Sequence, residues 1–121
     1  MKSIMQNEKR CYKTGGIYDL HKHHIFGGAC RNLSEKYGLT VYLRSDWHNM
    51  SNYGVHFNRE FDLQLKRAAQ REFEKTHSRM EFMRIFGKNY IWDEEYQQEE
   101  RRNMNNEHEF QLLDEPVYLP Y

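Results

Sequence analysis

His21-Lys22-His23-His24-Ile25-Phe26-Gly27-Gly28, with Trp47-His48-Asn49 and Gly54-Val55-His56 further on, sets the terms on which the remaining sequence is read. Five of the chain's seven histidines fall in these three pieces. In an extended segment adjacent side chains point to opposite faces, so His23 and His24 are free to do different jobs at one site. One can hold a metal while the other faces a water. Two strands, the loop between them and a helix entering beside them would bring His48 and His56 to the same place. Three imidazoles around one ion leave positions open for water and a substrate oxygen, which distinguishes a catalytic site from a closed structural one.

Outward from these pieces, Gly27-Gly28 breaks the chain, and Ala29 to Gly38 reads as a long loop because it holds no sustained period of 2 or 3.6 residues. Leu39 to Leu43 is β-branched and aromatic enough for a strand. An earlier strand is expected around Arg10 to Thr14, closed by Gly15-Gly16, behind a polar, frayed stretch over residues 1–10. From Val55 onward Phe57, Phe61, Leu65 and Ala68, continued by Ala69 and Phe73, form a helical stripe. On its other face Asp62 and Lys66 stand at the spacing of an i,i+4 ion pair. Ser78 and Glu81 make a capping-box pattern for a short helix with Met80, Met83 and Phe86 on its buried side and Gly87 at its end.

With 121 residues the chain is a single-domain length, and multidomain enzymes are excluded. Its mean hydropathy of -1.07 and 38% hydrophobic content make the core depend on 9 Tyr, 7 Phe and 2 Trp. No apolar run approaches the roughly 18 residues of a membrane span, and the basic start has no apolar stretch behind it, so a cytoplasmic protein without membrane contact is expected. Cys11 and Cys30 cannot build a disulfide scaffold. They are small buried hydrophobes or, alternatively, thiolates added to a zinc site with His23 or His24. Through Lys88 the chain carries 16 Lys+Arg against 9 Asp+Glu, and beyond it 2 against 9. A basic, His-rich body suits a polyanion, and an acidic tail competes for that site or recruits another partner.

The order His-His-Ile, glycine turn, strand, His-Asn step and helix resembles the HNH nuclease motif, the ββα-metal fold, over about Cys11 to Lys75. Within that superfamily the chain is similar to the phage recombination-enhancement, RecA-dependent nuclease family. The matching pieces are Cys11-Tyr12-Lys13-Thr14-Gly15, His23-His24-Ile25-Phe26-Gly27-Gly28, Arg31, Ser34-Glu35-Lys36-Tyr37-Gly38-Leu39 and Gly54-Val55-His56-Phe57-Asn58. The resemblance implies an α+β fold with a small ββα-metal core, followed here by the long helix and the short second helix, a nuclease domain over residues 1–90. Beyond about Tyr90 the resemblance thins out and the composition turns rich in Glu, Gln and Asn, so an acidic, partly disordered C-terminal extension is expected over 91–121.

Carried over residue by residue, the resemblance makes His24 the general base and His23, His48 and His56 the metal ligands. The middle Asn of many HNH motifs is replaced by Tyr37 and Gly38, so a backbone carbonyl is expected to orient His24, and Asn32, Asn49 and Asn58 stand as other candidates for a ligand or that orienting bond. Arg31, Lys36, Arg59 and Lys66 are candidate phosphate contacts, with an Arg31 to Glu35 ion pair as the alternative for the first two. His21, two before His23, either binds phosphate or a second ion or stands by, exposed. Imidazoles favour zinc, nickel, cobalt or manganese in affinity, while availability makes magnesium or manganese the ion of turnover. The implied activity is divalent-metal-dependent cleavage of DNA, targeted by a RecA filament in a phage or prophage setting. A recombinase-independent nicking or restriction-like nuclease, a zinc-stabilised nucleic-acid-binding module and an adaptor working through the acidic tail are the other readings. With one site per chain, a double-strand break requires a dimer or two visits, and the oligomeric state is left open.

Overall fold

The computed structural model describes residues 1–91. The chain divides into two compact units, Met1–Asn89 and Tyr90–Tyr121, and the fold below is that of the first. The expected acidic extension, including His108, lies outside the described residues. The first unit is a small α+β structure with elements in the order β1 (Leu20–His24), α1 (Arg31–Tyr37), β2 (Thr40–Arg44), α2 (Ser45–His48), α3 (Arg59–Phe73) and α4 (Arg79–Phe86). Single 3-10 turns at Gly28–Cys30 and Val55–Phe57 precede α1 and α3.

The sheet is one antiparallel pair, with His21 opposite Leu43, Lys22 opposite Tyr42, His23 opposite Val41 and His24 opposite Thr40. Strand alternation therefore puts His21 and His23 on the face that carries Val41 and Leu43, both fully buried, and puts Lys22 and His24 on the other. An open edge on β2 would invite pairing with another chain. Residues 3–12 cover it. Ile4 N donates to Gly38 O at 2.9 Å, Tyr42 N donates to Gln6 Oε1 at 2.7 Å, and Tyr12 N donates to Tyr42 O at 2.8 Å. The frayed start expected from polarity is thus a docked segment. The strand expected over Arg10 to Thr14 shrinks to one parallel bridge, Cys11 with Tyr42, because Gly15 N turns back onto Cys11 O at 2.8 Å.

The loop expected over Ala29 to Gly38 is a 3-10 turn and a helix. Seven residues give α1 less than two apolar repeats, and its fully buried position is polar: Ser34 Oγ donates to Phe26 O at 2.7 Å and accepts from Phe26 N at 3.0 Å. Gly38 ends the helix with φ +70°, and a Cβ there would stand 2.4 Å from Lys2 O, so only glycine lets the docked segment pass.

The stripe beginning at Val55 resolves into the 3-10 turn and α3, which starts at Arg59 with the Asn58 side chain accepting from Phe61 N at 3.1 Å. Phe61, Leu65, Ala69 and Phe73 are buried, whereas Phe57 is 67% exposed and Ala68 half-buried, because the helix begins after Phe57 and the buried stripe advances in steps of four. The Asp62 and Lys66 pair forms at 2.8 Å. In α4 the Ser78 side chain accepts from Glu81 N at 3.0 Å and Gly87 closes the helix with φ +83°. Its buried residues are Phe82 and Phe86; Met80 and Met83 are exposed. Phe82 displaces the methionines because it stands one turn before Phe86 and both rings reach the ring of Phe26, at centroid separations of 5.6 and 4.6 Å. Phe73 joins them from α3, 5.4 Å from Phe82.

Candidate metal centre

Three short stretches place three imidazoles. His23 comes from the buried face of β1, His48 from the last residue of α2 and His56 from the turn before α3. Their ligand-capable atoms all lie within 4.8 Å of one another. The Nε2 atoms of His48 and His56 are 3.0 Å apart, close to the roughly 3.3 Å that two imidazoles on one four-coordinate ion would show at metal–nitrogen lengths of about 2.0–2.1 Å. His23 is 6% exposed, and its Nε2 is buried with no hydrogen-bond partner. An orphaned buried nitrogen costs free energy unless something takes its lone pair. A divalent cation fits that need, since three imidazoles bring ligand-capable nitrogens this close together.

His23 and His48 are held neutral by their surroundings. Burial, then repulsion from His48 and His56, pushes His23 down to about 3, and burial with the neighbouring His56 and His21 pushes His48 down to about 4. Neither ring carries a proton that would compete with a metal ion near neutrality. His21 is no bystander: its Nδ1 lies 3.0 Å from Nδ1 of His48, so one of the two rings carries the shared proton and the Nε2 edge of His48 is turned toward His56.

The loop that delivers His56 to His48 is anchored on Asp46. Arg44 donates to both carboxylate oxygens of Asp46, at 2.7 and 2.9 Å, Tyr53 Oη donates at 2.7 Å, and Ser51 Oγ donates to the Asp46 carbonyl. The Arg44 guanidinium, followed by the Tyr53 hydroxyl, holds the Asp46 carboxyl far below the usual carboxylate range. Gly54 closes the loop by steric necessity, since a Cβ there would stand 2.7 Å from the His48 carbonyl oxygen.

His24 lies beside the cluster. It lines a groove of about 310 Å³ together with His23, His56, Gly27, Asp62 and Lys66. Its orienting partner is Glu35 on α1, not the backbone carbonyl that the missing Asn led us to expect: His24 Nε2 and Glu35 Oε2 are 2.8 Å apart, and Lys22 Nζ donates to Glu35 Oε1 at 2.8 Å. Hydrogen bonds from Lys22 and then His24 draw Glu35 down to about 2, so the carboxylate is an acceptor only. The proton between them therefore sits on His24 Nε2, and in the neutral ring Nδ1 keeps the free lone pair.

Of the residues expected to meet nucleic acid, Lys66 lines the groove, bound to Asp62, while Arg31, Lys36 and Arg59 are exposed and lie outside its lining. Arg31 makes no pair with Glu35, whose oxygens go to Lys22 and His24. Asn58 is spent on capping α3, and Asn32 and Asn49 are exposed. Cys11 is buried and accepts from Arg44 N, and neither cysteine joins the histidine group. His77 stacks on Phe73 at 4.2 Å. The sequence offered Glu35 only as an ion-pair partner for Arg31 and gave Gly54 no role of its own, although both stand inside matched pieces, Ser34-Glu35-Lys36 and Gly54-Val55-His56; Asp46 carried no signal beyond its proximity to His48.

No family model matches the chain, and no curated protein or solved structure matches it either. Among the described residues no helix is long and apolar enough to cross a membrane.

Proposed function

We propose that this chain is a metal-dependent DNA endonuclease of the HNH type, built on a ββα-metal core, in which His24 is the general base and His23, His48 and His56 hold the ion. The observation that carries the reading is the pairing of a buried, unpartnered imidazole nitrogen in a three-histidine cluster with a separately oriented fourth imidazole in the adjoining groove. A divalent ion held there would stabilise negative charge on the phosphate and on the departing oxygen.

The chain's own residues supply the rest. Glu35 fixes the His24 ring through Nε2, and the Nδ1 lone pair accepts a proton from water as the water oxygen bonds to phosphorus. The bond from phosphorus to the 3′ oxygen breaks, and that oxygen leaves to be protonated by solvent. Products carry 5′-phosphate and 3′-hydroxyl ends. Lys66, already at the groove, offers its ammonium to a phosphate oxygen, and Arg31, Lys36 and Arg59 meet the backbone further out.

The partner is DNA, and targeting by a RecA filament is the finer form of the proposal. Cleavage of plasmid alone and of plasmid paired with a RecA-coated oligonucleotide, with magnesium or manganese, separates the two levels. Cutting confined to the paired region supports both, and cutting of naked plasmid keeps the nuclease and discards the dependence. Products with 3′-phosphate ends, or no cutting with any divalent metal, overturn the mechanism; in the second case a zinc-stabilised binding module takes its place.

A further inference from the structure

The face of the sheet that carries His24 also carries a second concavity. Lys22 and Tyr42 stand directly opposite each other across β1 and β2, and residues 1–9, folded over the β2 edge, enclose with them a cleft of about 400 Å³. Its chemistry is set by Lys2, Lys9, Lys22, Gln6, Thr40 and Tyr42. The walls are tied down: Ser3 Oγ donates to Thr40 O, and Gln6 is used at both ends, accepting from Tyr42 N and donating to Arg10 O at 2.7 Å. Lys9 Nζ lies 5.2 Å from the centre of the Tyr42 ring. Among the described residues neither Lys2 nor Lys9 has a carboxylate partner, and the one acid of the lining, Glu8, is paired to Arg10.

Glu35 neutralises Lys22, so the positive charge of the cleft that no carboxylate offsets comes from Lys2 and Lys9, and an anion entering the cleft would be attracted to both. Compact ammonium groups suit phosphate as point charges, without the planar fork a carboxylate would favour. The position narrows the anion further. Lys22 and His24 are two residues apart on one face of β1, about 6.7 Å by strand rise, and Glu35 bridges them with a 2.8 Å contact to each. The cleft therefore begins two residues along β1 from the proposed base. A phosphodiester strand reacting at His24 would have this cleft within reach of its next phosphates.

We infer that this cleft is an exosite for the phosphate backbone of the DNA flanking the scissile bond, with Lys2 and Lys9 as its contacts. The inference rests on the nuclease reading for its direction, and its test does not need cleavage. Full-length protein without divalent metal is titrated into a labelled DNA duplex over a range of salt concentrations, using wild type, the double variant Lys2→Ala/Lys9→Ala and the charge-keeping Lys2→Arg/Lys9→Arg. Both lysines are exposed, so the fold is not at stake. Two lost phosphate contacts lower the slope of log affinity against log salt by about 1.8, at ~0.9 per contact, and the arginine pair restores it. Metal binding at the histidines, and cleavage at saturating DNA, stay at wild-type levels. An unchanged slope and affinity in the alanine variant would overturn the exosite. If wild type binds DNA and never cuts it, the nuclease reading falls, while the slope difference still decides whether the cleft holds DNA.

Discussion

Two regions of this small protein are built by opposite means. Around α3 and α4 the chain buries rings: Phe26, Phe73, Phe82 and Phe86 pack with centroids 4.6 to 6.0 Å apart, and Leu65 and Ala69 of α3 are buried as well. Around β1, α2 and the turn before α3 it gathers imidazoles, one of them buried without a partner, and steers them with a loop tied to Asp46. The aromatic region gains from water exclusion. The imidazole region is held in a costly arrangement that a cation would relieve. Stability and function are thereby separable, and each change below is aimed at one region while reading the other.

The largest effect belongs to the aromatic side. Phe73→Ala removes a ring buried on every side and should cost about 3–5 kcal/mol in a denaturant titration of metal-free protein. A loss under about 1 kcal/mol would mean that the rings are not what holds the fold. Acid is next, acting on the other region. His23 and His48 sit at about 3 and about 4 in the fold and near 6.5 when unfolded. Between pH 6.5 and about 3 the unfolded chain binds more protons, so metal-free stability is full above pH 6.5 and falls as the pH drops. His23→Leu should flatten that fall, and an equal slope in both proteins would show that the cluster is not buried in solution.

Gly54→Ala tests the loop. A methyl group 2.7 Å from the His48 carbonyl oxygen forces the backbone to shift and pushes His56 away from His48, so metal affinity measured by competition with a chelating dye should drop roughly 10- to 100-fold, alongside a lowered melting temperature of the metal-free protein. A large melting shift with intact affinity would reverse the assignment. Glu35→Gln is the smallest change. It keeps size and loses charge, so His24 is no longer confined to the Nε2–H tautomer. Cleavage at saturating DNA should fall about tenfold with metal affinity unaltered, and nitrogen chemical shifts of the His24 ring should show the tautomers mixing. Shifts identical to wild type would remove Glu35 from its positioning role.

The long amphipathic segment, the capped short helix and the strand at Thr40 to Arg44 were legible because each repeats a physical signal over several residues. The three metal-binding candidates were legible as a set because imidazoles clustered on either side of a glycine turn and a strand. What was hidden had non-local causes. α1 reads as a loop since its buried contact is Ser34 bonding to Phe26, a polar fit without periodicity. Met80 and Met83 lost their place to Phe82 only because Phe26 and Phe73 arrive from elsewhere in the chain. Glu35 faces Lys22 and His24, not Arg31, through a helix and strand packing that spacing along the chain does not encode.

In the proposed mechanism four histidines divide into three that hold an ion and one that moves a proton. Calorimetric titration of zinc or manganese into wild type, His23→Ala and His24→Ala, run beside a plasmid cleavage assay on the same samples, tests that division directly. One ion per chain in wild type, no ion in His23→Ala, and an undiminished ion in a His24→Ala protein that no longer cuts DNA is the expected result. A His24→Ala protein that cuts as wild type does, or one that loses its ion along with its activity, would contradict it.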